Sequence, residues 1–170
     1  MRKSIIFSAI LMLVVLVPFR ANSATIQILN PNISGWYSYQ EEIKLCTLFV
    51  QPKGVFTQFD LEMSVSADSY QNTGDSLEIL YNFNIPQNAT INDSWLWVGD
   101  TIVKAMLIDR SKASQIYEGL VSRRTDPSIL TYNSDGSCVL RVYPLFKGSF
   151  RKFRISFLIP NQWTNNSITA

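Results

Sequence analysis

The sequence contains no histidine at all. That absence excludes Ser-His-Asp and Cys-His nucleophile systems, the HExxH zinc site and any imidazole proton relay. Cysteine is nearly missing too. Cys46 and Cys138 lie 92 positions apart, with no CxxC pair, so cysteine ligands alone cannot hold zinc. In an oxidising compartment the two could form a disulfide, and closing so long a loop would stabilise by roughly 4–5 kcal/mol on the chain-entropy model. The plainer reading is two separately buried thiols, and sequence alone does not bring their Cβ atoms within reach. Internal repeats and low-complexity tracts are also absent.

What is present begins with an address. Arg2 and Lys3 precede an almost unbroken apolar run from Ile5 to Phe19, followed by Arg20 and the small residues Ala21 and Ser23. This is the secretory pattern, with cleavage expected between Ser23 and Ala24. The competing reading is an uncleaved membrane anchor, for which the run is slightly short of the roughly 20 residues needed. Pro18 and the small-residue exit favour cleavage. Residues 1–23 are therefore read as a signal peptide, and the remaining 147 suffice for one well-buried domain. Arg2, Lys3 and Arg20 would leave with the leader, so 12 of the 15 basic side chains remain against 13 acidic ones. The apparent basicity belongs to the address and gives no support for nucleic-acid binding. The expected location is secreted, periplasmic or cell-surface, with membrane contact only through an uncleaved leader.

Residues 24–42 read as an irregular lead-in or a short edge strand. Ile43 to Val50 reads as a strand closed by the turn Gln51-Pro52-Lys53-Gly54. Phe59, Leu61, Met63, Val65 and Ala67 then alternate with polar residues, as do Leu77, Ile79, Tyr81, Phe83 and Ile85. Period two means one buried face and one wet face, and the short polar link between the two runs predicts an antiparallel pair. Further strands are expected at 95–98 and 101–108 around Gly99-Asp100, and at 129–132, 138–145 and 150–159. One segment changes period. Ala113, Ile116, Tyr117, Leu120 and Val121 form a helical stripe, with Asp109 or Ser111 as cap and Arg123-Arg124 near its negative end. Many strands, one inserted helix and no βαβ alternation predict a mainly β fold, an antiparallel β-sandwich. Residues 161–170 read as a linker stub or truncated C-terminus.

Few residues suggest chemistry. Arg141, Lys147, Arg151, Lys152 and Arg154 could form a basic patch, but the plainer reading is a strand pair with a charged, wet face. No glycine-rich phosphate loop accompanies them. Glu41, Glu42, Asp60, Glu62 and Asp109 could be imagined as catalytic carboxylates, yet Asp60 and Glu62 occupy polar alternating positions where solvent exposure is expected. Catalysis would need two carboxyls converging on a cleft. Trp95 and Trp97 share one strand face and, with Trp36, Tyr37, Tyr39 and Trp163, could make a carbohydrate platform, although large aromatics mostly fill cores. Asn32, Asn88, Asn92 and Asn165 begin N-x-S/T sequons.

From Leu77 onward the residues fall into a recognisable order. Leu77-Glu78-x-x-Tyr81-x-Phe83-x-Ile85-Pro86-x-Asn88-Ala89 is followed by Val98-Gly99-Asp100 and by Lys112-Ala113-x-x-Ile116-Tyr117-Glu118. Then come Arg124-x-Asp126-Pro127-x-Ile129-Leu130, Arg141-Val142-Tyr143-Pro144-Leu145-x-x-Gly148, and Arg151-Lys152-x-Arg154-Ile155. This series resembles the VIT (vault protein inter-alpha-trypsin) domain over residues 43–160. The resemblance implies an extracellular or scaffold-associated module and brings no transferable active site; with histidine and metal motifs missing, the expectation is a non-catalytic module with a protein or matrix partner, no cofactor and no metal. Relatives usually carry a von Willebrand A domain next, whose metal-adhesion run DxSxS does not occur in this sequence. On this reading Glu78, Tyr81, Pro86, Ala89, Gly99, Ala113, Tyr117, Asp126, Pro127, Pro144 and Gly148 determine the fold.

Overall fold

A computed structural model describes residues 24–33, 38–86, 88–106, 110–122, 127–133, 135–164 and 167–169. The leader with Ser23, residues Trp36, Tyr37, Asp109, Arg123, Arg124, Asp126 and Asn165, and the Trp163 side chain lie outside this description. Chain order gives β1 (Thr25–Leu29), β2 (Ser38–Tyr39), β3 (Glu42–Lys53), β4 (Phe56–Ser66), β5 (Leu77–Asn84), β6 (Thr90–Val98) and β7 (Thr101–Lys104). Then follow α1 (Arg110–Ser122), β8 (Ser128–Tyr132), β9 (Ser137–Leu145), β10 (Phe150–Pro160), β11 (Gln162–Thr164) and β12 (Ser167–Thr169). Ala24, the expected first residue after cleavage, is exposed and stands immediately before β1.

Two antiparallel sheets carry the domain, with strand orders β2-β1-β5-β9-β8 (sheet A) and β3-β4-β10-β6-β7 (sheet B); β11 and β12 form a separate hairpin. The predicted antiparallel sandwich with one helix is the observed architecture. The alternating residues supply its core: Leu77, Ile79 and Tyr81 from β5 and Leu140 and Val142 from β9 meet Met63 and Val65 from β4 and Phe153 and Ile155 from β10. Fully burying each such side chain stabilises by about 1.5–3 kcal/mol. Tyr81 stacks on Phe83 within its own sheet and reaches Phe153 across the sandwich, at 6.2 Å between ring centroids.

Two expected pairings are not formed. β4 and β5 belong to opposite sheets, and so do β9 and β10. Alternation reports which face of a strand is buried; it carries no information about which strand lies alongside, and a link between sheets serves two inward faces as well as a hairpin does. The lead-in also contributes more than its composition suggested: β1 sits between β2 and β5, and Ile28 is fully buried.

Turns are set by glycine where the backbone requires it. Gly136 has φ +86°, and a Cβ there would stand 2.7 Å from the carbonyl oxygen of Ile85. Only a residue without a side chain fits both constraints. The predicted β6–β7 hairpin turns at Gly99, also in the left-handed region.

Candidate functional site

The outer face of sheet B carries rows of side chains that run across its strands. One row reads Thr47, Glu62, Arg154, Trp95, Lys104 and the next Leu45, Ser64, Lys152, Trp97, Ile102. In the first row the Arg154 guanidinium lies 4.6 Å from the Trp95 ring centre and Lys104 Nζ approaches the same ring at 4.9 Å. In the second, Lys152 Nζ stands 4.6 Å from the Trp97 ring. Indole is the strongest aromatic partner for a cation, and such contacts contribute about 0.5–1 kcal/mol where exposed and more where dry.

Glu62 closes the network, accepting from Arg154 Nη2 at 2.6 Å and from Lys152 Nζ at 2.7 Å. Burial works against its charge, but the hydrogen bonds from Lys152 and Arg154 outweigh it and hold the carboxyl below its ordinary range. The expected exposure of Glu62 is therefore corrected. Its position faces outward, yet the long stems of its two cationic neighbours cover it. Asp60 is half-buried beside Gln58, which donates to it. Trp95 and Trp97 do share one face, with ring centres 6.1 Å apart, but Trp95 is approached by cations from both flanking strands. A sugar ring would have to displace them to stack there.

On the outside of sheet A the family-like residues gather under α1. Tyr117 donates a short hydrogen bond to Glu78, and Arg141 donates to both Glu78 oxygens, Nε at 2.9 Å and Nη2 at 3.1 Å. Arg141 Nη1 also reaches Glu118 at 2.7 Å, and its guanidinium covers the Tyr117 ring at 4.6 Å. Burial first, then the Glu78 carboxylate, push the Tyr117 phenol far above its ordinary range. The cluster ties the helix to the sheet, and its polar groups are mutually satisfied. Of the remaining motif positions, Tyr81, Ala89, Pro127 and Pro144 are buried, Ala113 is half-buried, and Gly99 and Gly148 take left-handed turns. Pro86 is exposed and accepts from Ala89 N–H. Ile116, expected on the buried helical stripe, is half exposed.

The five basic residues do not converge. Arg141 serves sheet A, Lys152 and Arg154 serve sheet B, Arg151 donates to the Pro144 carbonyl, and Lys147 donates to the Gln71 carbonyl at 3.0 Å. The two cysteines are free thiols rather than a disulfide. Cys46 is exposed on β3 of sheet B, and Cys138 is buried on β9 of sheet A. Burial pushes the Cys138 thiol up to about 11. Among the described residues no three His, Cys, Asp or Glu side chains gather as a metal site, and no helix is long and apolar enough to cross a membrane. A cleft of about 460 Å³ lies between α1, β6 and β8, lined by Ile91, Met106, Ile116, Leu120, Ile129 and Tyr132 among others. Asp93 is its acidic group, and that carboxylate is occupied by Trp95 Nε1 at 2.5 Å.

The surface that sequence reasoning missed is β3. It ends sheet B and, among the described residues, pairs only with β4. Both of its faces are open: Val50 is 56% exposed, Leu48 53%, Ile43 50% and Phe49 48%, with Leu45 at 40%. Val55 and Phe56 extend the apolar area at the β3–β4 turn. From Leu45 to Gln51 no charged residue interrupts the strand. The run Leu45 to Val50 shows no polar alternation, the pattern of a strand buried on both faces, so the sequence pattern does not mark it as an open edge.

The model of the family described as "Vault protein inter-alpha-trypsin domain" matches residues 53–157. The match begins at the end of β3, stops within β10 and spans the motif residues from Glu78 to Gly148. No curated protein matches the chain.

Proposed function

The chain belongs to the VIT domain family, and from that premise we propose that it is an exported, non-catalytic interaction module whose contact surface is the β3 edge of sheet B. One observation carries this reading: a strand that combines an open hydrogen-bonding edge with exposed apolar side chains on both faces. Native proteins blunt such edges with charges, prolines or bulges, because an open edge templates pairing with another chain. Here Lys44 forms a bulge at one end and Pro52 stands at the other. The stretch between them has no such guard and matches the form of surface to which a partner adds a strand. Export rests on the leader sequence. The non-catalytic reading is supported by carboxylates and cations that satisfy one another on two separate faces instead of converging on a cleft.

Testing this uses the full chain produced in its own source with a photo-crosslinking residue in place of Leu48. Protein adducts are expected there and not from the same probe at Gln115, which is exposed on α1. Equal adducts at both positions, or none at either, would overturn the assignment.

A further inference from the structure

We infer that β3 pairs with the β3 of a second copy of this chain, antiparallel about a twofold axis through Leu48, so that two B sheets join into one. This rests on the interaction-surface reading above and names its partner. The argument begins with geometry. Two antiparallel edge strands related by a twofold axis perpendicular to their sheet must place opposed side chains on the same face. With the axis at Leu48, that residue meets its own copy, Thr47 meets Phe49, Cys46 meets Val50, and Leu45 meets Gln51. The side chains of Cys46, Leu48 and Val50 share the face of Met63, Leu61 and Phe59 on β4, whereas Thr47, Phe49 and Gln51 share the face of Glu62, Asp60 and Gln58.

The bulge then decides the ends. Ile43 pairs with Val65 and Leu45 with Ser64, so Lys44 is the extra residue and the alternation shifts by one beyond it. Skipping Lys44 brings Ile43 opposite Pro52 and Glu42 opposite Lys53 of the second copy. Glu42 and Lys53 lie on the same outer face, because their β4 partners are Ser66 and Phe56. Glu42 shares Lys44 with Asp68 in its own chain, Nζ standing 2.8 and 2.7 Å from the two carboxylates, so that end keeps a net negative charge and meets a basic end twice, around an uncharged apolar centre. Moving the axis to Thr47 sets Glu42 against Gln51, and moving it to Phe49 sets Cys46 against Pro52 and Leu45 against Lys53. Neither alternative combines an apolar centre with matched charges. β3 is thus complementary to itself in one register. Apolar burial around Leu48, Phe49 and Val50 supplies the affinity, and the end charges select the register.

Cysteine replacement on the full chain tests this directly, in a Cys46→Ser background that removes the native exposed thiol. Leu48→Cys faces its own copy within disulfide reach, so mild oxidation is expected to give a covalent dimer. Phe49→Cys faces Thr47 and is expected to stay monomeric. Equal crosslinking at both positions, or none at Leu48→Cys, overturns the proposal. Sedimentation equilibrium gives the second readout: a reversible dimer, a dissociation constant raised about three- to tenfold by Glu42→Lys, consistent with two exposed ion pairs, and restoration by Glu42→Lys with Lys53→Glu. A chain that remains monomeric throughout, while a photo-crosslinker at position 48 still captures a different protein, overturns the self-pairing and leaves the interaction reading standing.

Discussion

The Arg141 guanidinium grips both carboxylate oxygens of Glu78, through Nε at 2.9 Å and Nη2 at 3.1 Å, beneath the ring of Tyr117. Glu78 is almost wholly buried. Removing it leaves the Tyr117 hydroxyl without its acceptor and the half-buried Arg141 with only the exposed carboxylate of Glu118. Glu78→Ala is therefore expected to lower unfolding stability by about 3–5 kcal/mol, since it breaks a buried ion pair from one side. Denaturant titration of the two proteins checks this, and a loss below about 1 kcal/mol would show that the helix does not depend on the cluster.

The cation–aromatic row on sheet B makes a separate prediction. Arg154 touches Trp95 and pairs with Glu62, so its replacement loses both interactions. A double-mutant cycle between Arg154→Ala and Trp95→Ala is expected to return a coupling of about 1 kcal/mol. Strict additivity in denaturant unfolding would mean that the ring and the guanidinium contribute independently.

Glu62 sets a pH dependence whose sign follows from its lowered pKa. Folded, it holds its charge to lower pH than the ordinary carboxyl near 4.5. The contribution of its pairing is thus complete above that ordinary value and fades as pH falls through the lower folded value. Glu62→Gln is expected to lower stability at neutral pH and to flatten the loss on acidification. An unchanged acid limb would assign that loss to other carboxylates.

The two thiols separate by burial. Cys46 is exposed, whereas Cys138 is buried with its thiol raised to about 11. At concentrations where the chain is monomeric, one equivalent of a thiol reagent is expected to react quickly with the folded chain, and a second only on unfolding. Two fast equivalents, or none, would contradict this placement.

Much of this was legible in the sequence, for reasons that particular residues make clear. Leu61, Met63 and Val65 announced an inward face because a strand exposes alternate residues, and Tyr117 announced a buried helical position by its spacing. The partner of each strand was not legible: β4 and β5 follow each other in sequence but enter different sheets, because inward alternation is equally satisfied by either arrangement. Glu62 reads as exposed because its position faces outward; its burial comes from Lys152 and Arg154, which are about ninety residues away and arrive only through strand pairing. Residues 24–42 read only as a lead-in or a short edge strand because Thr25–Leu29 is too short to show a period, and the place of β1 inside its sheet is set by pairing with β5. The exposure of β3 was hidden for the opposite reason. Its apolar run resembles an ordinary buried strand, and only the sheet order reveals that it lies at an edge, paired with β4 alone among the described residues.

Amide hydrogen exchange along β3 tests the central claim most directly, comparing the full chain with its Leu48→Lys variant at concentrations where the wild type associates. If β3 pairs with its own copy, the amides of Leu45 to Gln51 exchange slowly throughout in the wild type. In the variant, the amides pointing away from β4 exchange fast while β4 and β10 remain protected. Fast exchange of those outward amides in both proteins would contradict the pairing of β3 with its own copy.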